Sequence, residues 1–221
     1  MTCQGVFVTG SAPETGKTTV AAALAAGLVA ADIHVRALKP ISAGDRAPGR
    51  DATLLGKVAG HPPVSLACHE APATPRRAAR MAGAPIDLAA LRGWISTQQP
   101  PGHALLVEGA GGWRTPITED AETRDLARVL RLPVVVVAGN RPGVTSHTVL
   151  TVEAVEQVGL PVLGVVLNDA FGCSPEQAAW HRDDLRAALP DVAVLSLRRL
   201  GLPTDLVPVG SWLARRLGLL D

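Results

Sequence analysis

Short apolar runs alternate with longer stretches of helical periodicity along the 221-residue chain. Runs of this length, rich in β-branched residues, are typical of strands that are covered on both faces. They predict strands at residues 4–9, 33–38, 104–107, 134–138, 162–167 and 192–197. Helical patterns lie between and after them, at residues 17–31, 52–58, 88–97, 124–130, 145–158, 175–188 and 210–219. The alternation predicts an α/β fold with a mostly parallel sheet and helices on both faces.

Length and composition favour a single domain that covers residues 1–221. Hydrophobic residues make up 47% of the chain and aromatic residues 3%, so the core must consist mainly of Val, Leu, Ile and Ala. The proline-rich residues 60–85 are predicted to form a loop with one helix over the sheet. The apolar run at residues 20–31 is far shorter than a membrane span, and it predicts a buried helix.

Charge and cysteine content narrow the partners and the compartment. The formal net charge of +1 gives no general attraction to nucleic acid or to anionic membranes, so we expect neither as a partner. The three cysteines are scattered and form no CxxC pair, which argues against a disulfide framework or a zinc site. No cationic apolar leader precedes the first predicted strand. Together these features predict a cytoplasmic protein.

The segment after the first predicted strand has the composition of a phosphate-binding loop. It reads GSAPETGKT at residues 10–18, and a helical pattern follows it. Glycines let backbone N–H groups face inward, and a helix N-terminus attracts phosphate. Lys17 would reach the β- and γ-phosphates, and the Thr18 hydroxyl would bind Mg²⁺. Five residues, rather than the usual four, separate the two glycines. The nucleotide-binding residues expected here are Glu14, Thr15, Gly16, Lys17, Thr18 and Thr19.

Polar residues also follow the next two strands, and ligands bind at the carboxyl ends of strands in such sheets. Lys39 follows the second predicted strand and would point into the same crevice. Asp51 opens a helical stretch, either as a helix cap or as a carboxylate for the metal. Glu108 ends an apolar strand before Gly109, Ala110 and Gly111, and this resembles the second acidic motif of P-loop proteins. Thr18, Asp51 and Glu108 could supply the oxygens that Mg²⁺ favours.

Two later strand ends carry further polar groups. The segment GNRPGVTSH at residues 139–147 leads into a helix whose first N–H groups could hold a carboxylate. Asn168 and Asp169 follow the strand predicted at residues 162–167. An amide there could pair with a purine edge, although Asn-Asp is also an ordinary turn dipeptide.

Together these motifs resemble the dethiobiotin synthetase family. That family has a phosphate-binding loop with the same extra residue (T-G-x-x-x-E-x-G-K-T), a K-P-x-x-S-G strand end, V-E-G-A-G-G and a late N-D pair. Matching elements run here from Thr9 to Asp169. The resemblance implies an enzyme, an ATP-dependent cyclo-ligase with Mg²⁺ as cofactor. It would form the ureido ring of dethiobiotin from 7,8-diaminopelargonate and CO₂, through a carbamate and a carbamic-phosphoric anhydride.

The resemblance also implies residue roles. Lys39 would be the main catalytic lysine, near the carbamate and the γ-phosphate, and Lys17 would assist it. Thr18, Asp51 and Glu108 would bind the metal, and Asn168 would recognise the base. The family is similar in working as a homodimer, in which the neighbouring subunit's loop holds the substrate carboxylate. The substrate-binding residues implied are Lys39, Ser42, Ala43, Gly143, Val144, Thr145 and Ser146.

The chain departs from the family pattern at several positions. Ala43 stands where the family has serine, with Ser42 one position earlier, and Ser146 replaces the usual asparagine. The family's P-x-S-P-H segment reads PATPR at residues 72–76, and its late G-x-x-P element has no counterpart in residues 194–200. The preferred nucleoside triphosphate is left open by these changes.

Two other functions stay open. One is a partition-type ATPase switch on the same scaffold, although such proteins usually carry an extra lysine where this chain has Ser11 and Ala12. The other is a nucleotide-binding relative without ligase activity, which the change at Ala43 motivates. The segment at residues 210–221 is expected to dock against the domain rather than to lie on a membrane surface.

Overall fold

The computed structural model describes residues 5–200 and 205–221, and strands alternate with helices along most of the chain. The strands are β1 (Gly5–Gly10), β2 (Val35–Leu38), β3 (Ile41–Ala43), β4 (Ala67–His69), β5 (Ala104–Glu108), β6 (Val134–Gly139), β7 (Val162–Asn168) and β8 (Val194–Leu197). The helices are α1 (Lys17–Val29), α2 (Arg50–Ala59), α3 (Pro75–Met81), α4 (Leu88–Gln98), α5 (Thr123–Leu130), α6 (Val144–Glu156), α7 (Pro175–Ala188) and α8 (Leu206–Arg216).

Six strands form one parallel sheet in the order β2-β5-β1-β6-β7-β8. The predicted fold class is therefore confirmed, and each of the six predicted strands has a counterpart. The first predicted strand includes Gln4, which lies outside the described residues. Two strands end one residue later than predicted at positions that belong to the site: β5 extends to Glu108 and β7 extends to Asn168. Both side chains are thus held by the sheet itself rather than by a loop.

A second, two-stranded sheet pairs β3 with β4 in parallel, with Ile41 opposite Ala67. The apolar pattern does not predict it, because each strand has only three residues and no period can be recognised over that length. The one helix predicted within the proline-rich segment is α3, whose first residue is Pro75. The small sheet holds Ser42 opposite Cys68, four residues after the end of β2.

The main sheet divides the apolar core into two layers, because successive strand residues point to opposite faces. In β1, Val6 and Val8 pack with residues of α1, α2 and α8, whereas Phe7 packs with residues of α4, α5, α6 and α7. Helices therefore cover both faces, as the apolar strands predict.

Helix α8 docks against α1, as expected for the C-terminal segment, and begins at Leu206 rather than at residue 210. The earlier start is compatible with Pro208, because a proline in the first turn lacks only an N–H that the helix leaves unpaired anyway. None of the described helices is both long and apolar enough to span a membrane.

Two glycines let α1 and α8 approach at backbone distance. A Cβ atom on Gly210 would overlap the Ala23 carbonyl group and lie 2.8 Å from the Gly27 nitrogen. A Cβ atom on Gly27 would likewise overlap the backbone of Gly210. Since α1 begins directly after the phosphate-binding loop, this contact fixes the helix that carries Lys17 and Thr18.

We expect Gly210→Ala to lower the free energy of unfolding by about 2 kcal/mol or more, because the added methyl group forces α1 and α8 apart. Gly93→Ala is the matched control, since Gly93 also lies within a helix but has open space around its Cα. That control should be neutral or stabilising by no more than about 1 kcal/mol. Urea unfolding monitored by circular dichroism measures both. Equal stability of the two variants would contradict the close helix contact.

Candidate active site

The phosphate-binding loop connects the end of β1 at Gly10 with the start of α1 at Lys17. Its backbone adopts left-handed conformations at Glu14 (φ 60°) and Gly16 (φ 85°), and Gly16 is the residue that precedes the first turn of α1. The Ser11 N–H donates to the Val137 carbonyl at 3.0 Å, which ties the start of the loop to β6. The loop thus turns sharply and presents the N-terminus of α1 at the carboxyl edge of the sheet.

Lys17 is buried at the start of α1, and its ammonium group donates to the Ala12 carbonyl at 3.2 Å. Burial, followed by the positive charge of Lys39, lowers the pKa of Lys17 to about 8. The ammonium therefore lies over the loop that is predicted to hold phosphate, in an environment that an anion would make more favourable for its charge.

Lys39 and Glu108 form a buried ion pair at the centre of the site. The Lys39 Nζ atom lies 2.6 Å from Glu108 Oε1 and donates to the Gly109 carbonyl at 2.9 Å. It also lies 3.4 Å from Asp51 Oδ2. The Thr18 hydroxyl donates to the same Glu108 oxygen at 2.9 Å. Four side chains from four separate segments of the chain thus converge, as the strand-end argument predicts.

Electrostatics explains why this arrangement holds together. Burial alone would lower the pKa of Lys39, but the Glu108 and Asp51 carboxylates outweigh it and raise the pKa above its ordinary value. Lys39 is 5% exposed and Glu108 is 1% exposed. At such burial, loss of one partner leaves an uncompensated charge, which typically costs about 3–5 kcal/mol. Lys39 therefore stays cationic at neutral pH.

The residues present fit a magnesium ion. Glu108 Oε2 is buried and has no hydrogen-bond partner among the described residues, and an orphaned carboxylate oxygen of this kind is suited to a cation. Asp51 lies in the first turn of α2, where Gly49 rather than Asp51 occupies the capping position. Its carboxylate is therefore free of a capping role. Thr18, Asp51 and Glu108 together offer the hydroxyl and carboxylate oxygens that Mg²⁺ combines with phosphate and water.

These groups line an open cavity of about 840 Å³ at the carboxyl ends of β1, β2 and β5. Among the described residues, the predicted site residues that line it are Glu14, Gly16, Lys17, Thr18, Thr19, Lys39, Ser42, Ala43, Asp51, Glu108, Ala110 and Gly111. The phosphate loop, the acidic strand end and the lysine strand end therefore share one cavity.

Several predicted site residues lie outside this cavity. Gly143, Val144, Thr145 and Ser146 form the start of α6, after β6. The Asn168 amide donates to the Thr15 carbonyl, and Asp169 Oδ1 accepts from the Cys173 N–H. The sequence reasoning missed the Asn168–Thr15 contact, since nothing local to either residue signals a bond across 153 positions.

Ser42 and Ala43, the pair that departs from the family pattern, both line the cavity. The Ser42 side chain is buried, and its hydroxyl has no hydrogen-bond partner among the residues that the structure describes. It lies close to Gly49, at the entry to α2. The displaced serine thus stays at the cavity wall because β3 pairs with β4 there.

The scarcity of lysine is a signal in the sequence that the sequence reasoning missed. Only Lys17, Lys39 and Lys57 are lysines among the 21 basic residues of the chain. Two of the three lie buried in the cavity, and Lys57 is exposed on α2. The compact ammonium group of lysine binds ligands differently from the planar guanidinium group of arginine. A lysine in an arginine-rich chain therefore indicates a site that requires an ammonium group.

The fold and the site together define a nucleotide-binding protein of the P-loop α/β class. The sequence matches the protein family model described as "AAA domain" over residues 4–197. The septum site-determining protein MinD complexed with Mg-ADP, from Pyrococcus horikoshii OT3, has a similar fold with a TM-score of 0.54. That similarity covers 98% of this chain and 94% of that chain at 18% sequence identity, so it supports the fold alone.

Closer relatives place the chain within one branch of this class. The ATP-dependent dethiobiotin synthetase BioD of Bacillus cereus (strain B4264) is 35% identical over 202 residues, which cover 87% of this chain and 82% of the relative. The protein of the same name from Anaeromyxobacter dehalogenans (strain 2CP-C) is 39% identical over 170 residues, covering 75% and 76% respectively. The chain belongs to the ATP-dependent dethiobiotin synthetase family.

We expect the affinity for ATP to fall as the pH rises through 8, because Lys17, with its pKa of about 8, then loses the charge that attracts phosphate. The loss should approach about tenfold per pH unit above that value, with one proton taken up on binding. Lys39 keeps its charge across this window because its pKa is raised. Titration calorimetry in buffers on either side of pH 8 measures both quantities.

Lys17→Met is the control for this pH dependence. It should bind ATP more weakly than the wild type and without the proton uptake. An affinity of the wild-type protein that does not change between neutral pH and pH values above 8 would contradict the assignment of Lys17 to phosphate binding.

Proposed function

We propose that the protein is a dethiobiotin synthetase, which uses ATP to close the ureido ring of dethiobiotin from 7,8-diaminopelargonate and CO₂. The observation that carries this function is the buried Lys39 ammonium, held 2.6 Å from Glu108 in the cavity that also contains the phosphate loop. A second cationic group beside the loop lysine suits a reaction in which a carboxylated amine must meet a triphosphate.

The phosphate-binding half of the site would hold ATP. Lys17 and the N-terminus of α1 attract the phosphates, and Glu14, Thr15, Gly16 and Thr19 belong to the same loop and first turn. Thr18, Asp51 and Glu108 would hold Mg²⁺. The supporting observation is that Glu108 Oε2 has no hydrogen-bond partner within residues 5–200 and 205–221. When bound, the metal ion neutralises part of the triphosphate charge.

The other half of the site would hold the diamine and its carbamate. One substrate amine attacks CO₂, releases a proton and forms a carbamate, whose oxygen then attacks the γ-phosphorus as the bond to ADP breaks. The second amine attacks the carbamoyl carbon of the resulting carbamic-phosphoric anhydride. Its C–N bond closes the ring while phosphate leaves with the electron pair, and the amine releases its proton.

Lys39 is suited to this sequence because its charge does not depend on the substrate. The ammonium is already cationic through its carboxylate partners, so it can stabilise the charge that develops between the carbamate oxygen and the γ-phosphate. Ser42 and Ala43 line the same wall of the cavity. The Ser42 hydroxyl has no hydrogen-bond partner in the described part of the chain, so it is available to a polar group of the substrate.

The substrate carboxylate would be held by the partner subunit of a homodimer, through its Gly143–His147 loop. Support comes from the position of these residues at the start of α6, outside the cavity of their own chain.

We further propose that residues 1–221 act as a single domain and that the enzyme works in the cytoplasm. The free thiols of Cys68 and Cys173 support a reducing compartment.

We expect the wild-type protein to form dethiobiotin when it is incubated with diaminopelargonate, bicarbonate, Mg²⁺ and ATP, as detected by mass spectrometry. Lys39→Ala should abolish turnover with only a modest loss of ATP binding, because Lys39 acts mainly in the transition state. Lys57→Ala is the matched control, since Lys57 is exposed on α2 away from the cavity. Thermal unfolding of each variant verifies that the fold is retained.

The possible outcomes separate the competing functions. ATP hydrolysis without dethiobiotin would favour a partition-type switch, and ATP binding without either reaction would favour a relative that lost ligase activity. Repeating the assay with CTP and GTP establishes the preferred triphosphate. Near-normal turnover of Lys39→Ala would refute the catalytic assignment.

A mixing experiment tests the shared site. Ser146→Glu should raise the KM for diaminopelargonate, because the added carboxylate repels that of the substrate, whereas Ser146→Gln should do so much less. Mixed with Lys39→Ala after dissociation and reassociation, Ser146→Glu should recover about a quarter of the wild-type activity, since half the dimers then contain one intact site. Activity no higher than the sum of the separate variants would contradict a shared site.

A further inference from the structure

The glycine loop, residues 109–112, follows strand β5 and forms part of the cavity wall. Two of its residues, Ala110 and Gly111, line the cavity. A Cβ atom on Gly112 would lie 3.4 Å from the carbonyl oxygen of Gly10, so the glycine loop packs directly against the phosphate loop. Any shift of the glycine loop would therefore change the wall that faces a bound triphosphate.

The protein holds the acceptors of this loop and leaves two of its donors without a partner. The Gly109 carbonyl accepts from the Lys39 ammonium at 2.9 Å. The Ala110 carbonyl accepts from the Thr123 hydroxyl at 2.8 Å. By contrast, the N–H groups of Ala110 and Gly111 have no acceptor within the parts of the chain that the structure describes. Successive N–H groups at a turn can bind an anion together, and Gly111 has the φ of 63° that such a turn requires.

Thr123 connects the two ends of the loop from outside the cavity. It is the first residue of α5 and is 1% exposed. Its hydroxyl donates to Ala110, and its N–H donates to the Thr115 carbonyl at 2.9 Å. A Cβ atom on Gly109 would lie 2.8 Å from Thr123 Cγ2, so the methyl group of the threonine fills the space that the glycine leaves. Hydroxyl, N–H and methyl group thus all contact the same short segment.

The Thr123 hydroxyl is not needed to begin helix α5. Glu122 and Asp125 form a capping box there, in which the Glu122 N–H donates to Asp125 Oδ2 at 2.9 Å. A second polar group at the same helix start is therefore free to act elsewhere, and its hydrogen bond spans 13 positions of the chain. The bond serves the glycine loop rather than the helix.

Thr115 supports the loop at its other end. Its hydroxyl accepts from the Gly112 N–H at 2.8 Å, and its own N–H donates to the Gly112 carbonyl at 3.1 Å. A Cβ atom on Gly111 would overlap the Thr115 side chain, so the threonine lies directly against the residue with the left-handed backbone. Groups that are ordered before a ligand arrives bind it more tightly, because less freedom is lost on binding.

We propose that Thr123 and Thr115 are positioning residues for the glycine loop: they hold it so that the N–H groups of Ala110 and Gly111 donate to an anionic oxygen of the bound triphosphate. This inference rests on the proposed nucleotide site. It predicts that loss of the Thr123 hydroxyl weakens the binding of MgATP although the fold is retained, and that serine at this position restores the binding.

Titration calorimetry with MgATP on the full chain tests the proposal. Thr123→Val keeps the shape of the side chain but lacks the hydroxyl, so it should weaken binding about threefold to tenfold. Thr123→Ser keeps the hydroxyl and should bind within about twofold of the wild type. Thr151→Val is the matched control, because Thr151 is 7% exposed and its hydroxyl donates to the His147 carbonyl within α6 at 2.7 Å. The control should also bind within about twofold of the wild type.

Thermal unfolding of each variant separates positioning from a merely structural role. A lower unfolding temperature of Thr123→Val with unchanged affinity of the folded protein would overturn the inference. Equal weakening by Thr123→Ser would overturn it as well, because the hydroxyl would then not be the cause. Thr115→Val replaces Thr123→Val if that variant does not fold, with the same expected loss of affinity, and an unchanged affinity of Thr115→Val would again contradict the proposal.

The wild-type protein distinguishes this inference from the proposed function. Binding of MgATP without formation of dethiobiotin would refute the proposed function and leave the role of the two threonines standing. A wild-type protein that does not bind MgATP would overturn both.

Discussion

A buried ion pair between Lys39 and Glu108 is the interaction on which the site depends. Two opposite charges removed from water are stable only if each keeps its partner, and here the sheet guarantees the pairing. Strands β2 and β5 are neighbours, with Leu38 opposite Val107. Lys39 directly follows β2 and Glu108 is the last residue of β5, so the two side chains emerge side by side at the carboxyl edge. The pairing of these two strands therefore sets the 2.6 Å distance between Lys39 Nζ and Glu108 Oε1.

The other elements of the site are arranged around this pair. Strand β1 lies on the other side of β5, with Val8 opposite Glu108, so the phosphate loop opens next to the same carboxylate. Helix α1 continues from that loop, and its contact with α8 through Gly27 and Gly210 holds its axis in place. Thr18 consequently reaches the Glu108 oxygen that Lys39 also uses. Burial, followed by the nearby charge of Lys39, lowers the pKa of Lys17, so an anion between the two lysines relieves a repulsion that is built into the fold.

The chemistry of neighbouring residues was sufficient to predict much of the site from the sequence. The phosphate loop could be recognised because its glycines, Lys17 and Thr18 follow one another between a strand and a helix. Lys39, Asp51 and Glu108 could be assigned to one crevice because parallel strands place their carboxyl ends together. The direct pairing of Lys39 with Glu108 could not be predicted, because it requires β5 to lie between β1 and β2, and no local pattern encodes strand order. The Asn168–Thr15 bond could not be predicted for the same reason. Strands β3 and β4 could not be predicted because three residues are too few to display a period.

The central claim is that one cavity gathers the triphosphate, the metal ion and the diamine around Lys17, Lys39 and Glu108. A crystal structure of the protein with a non-hydrolysable ATP analogue, Mg²⁺ and diaminopelargonate tests it most directly. The account predicts the γ-phosphate between the two lysine ammonium groups, the metal ion on Glu108, and a substrate amine on the same side of the sheet edge. Triphosphate and diamine bound in separate cavities, with Lys39 in contact with neither, would contradict it.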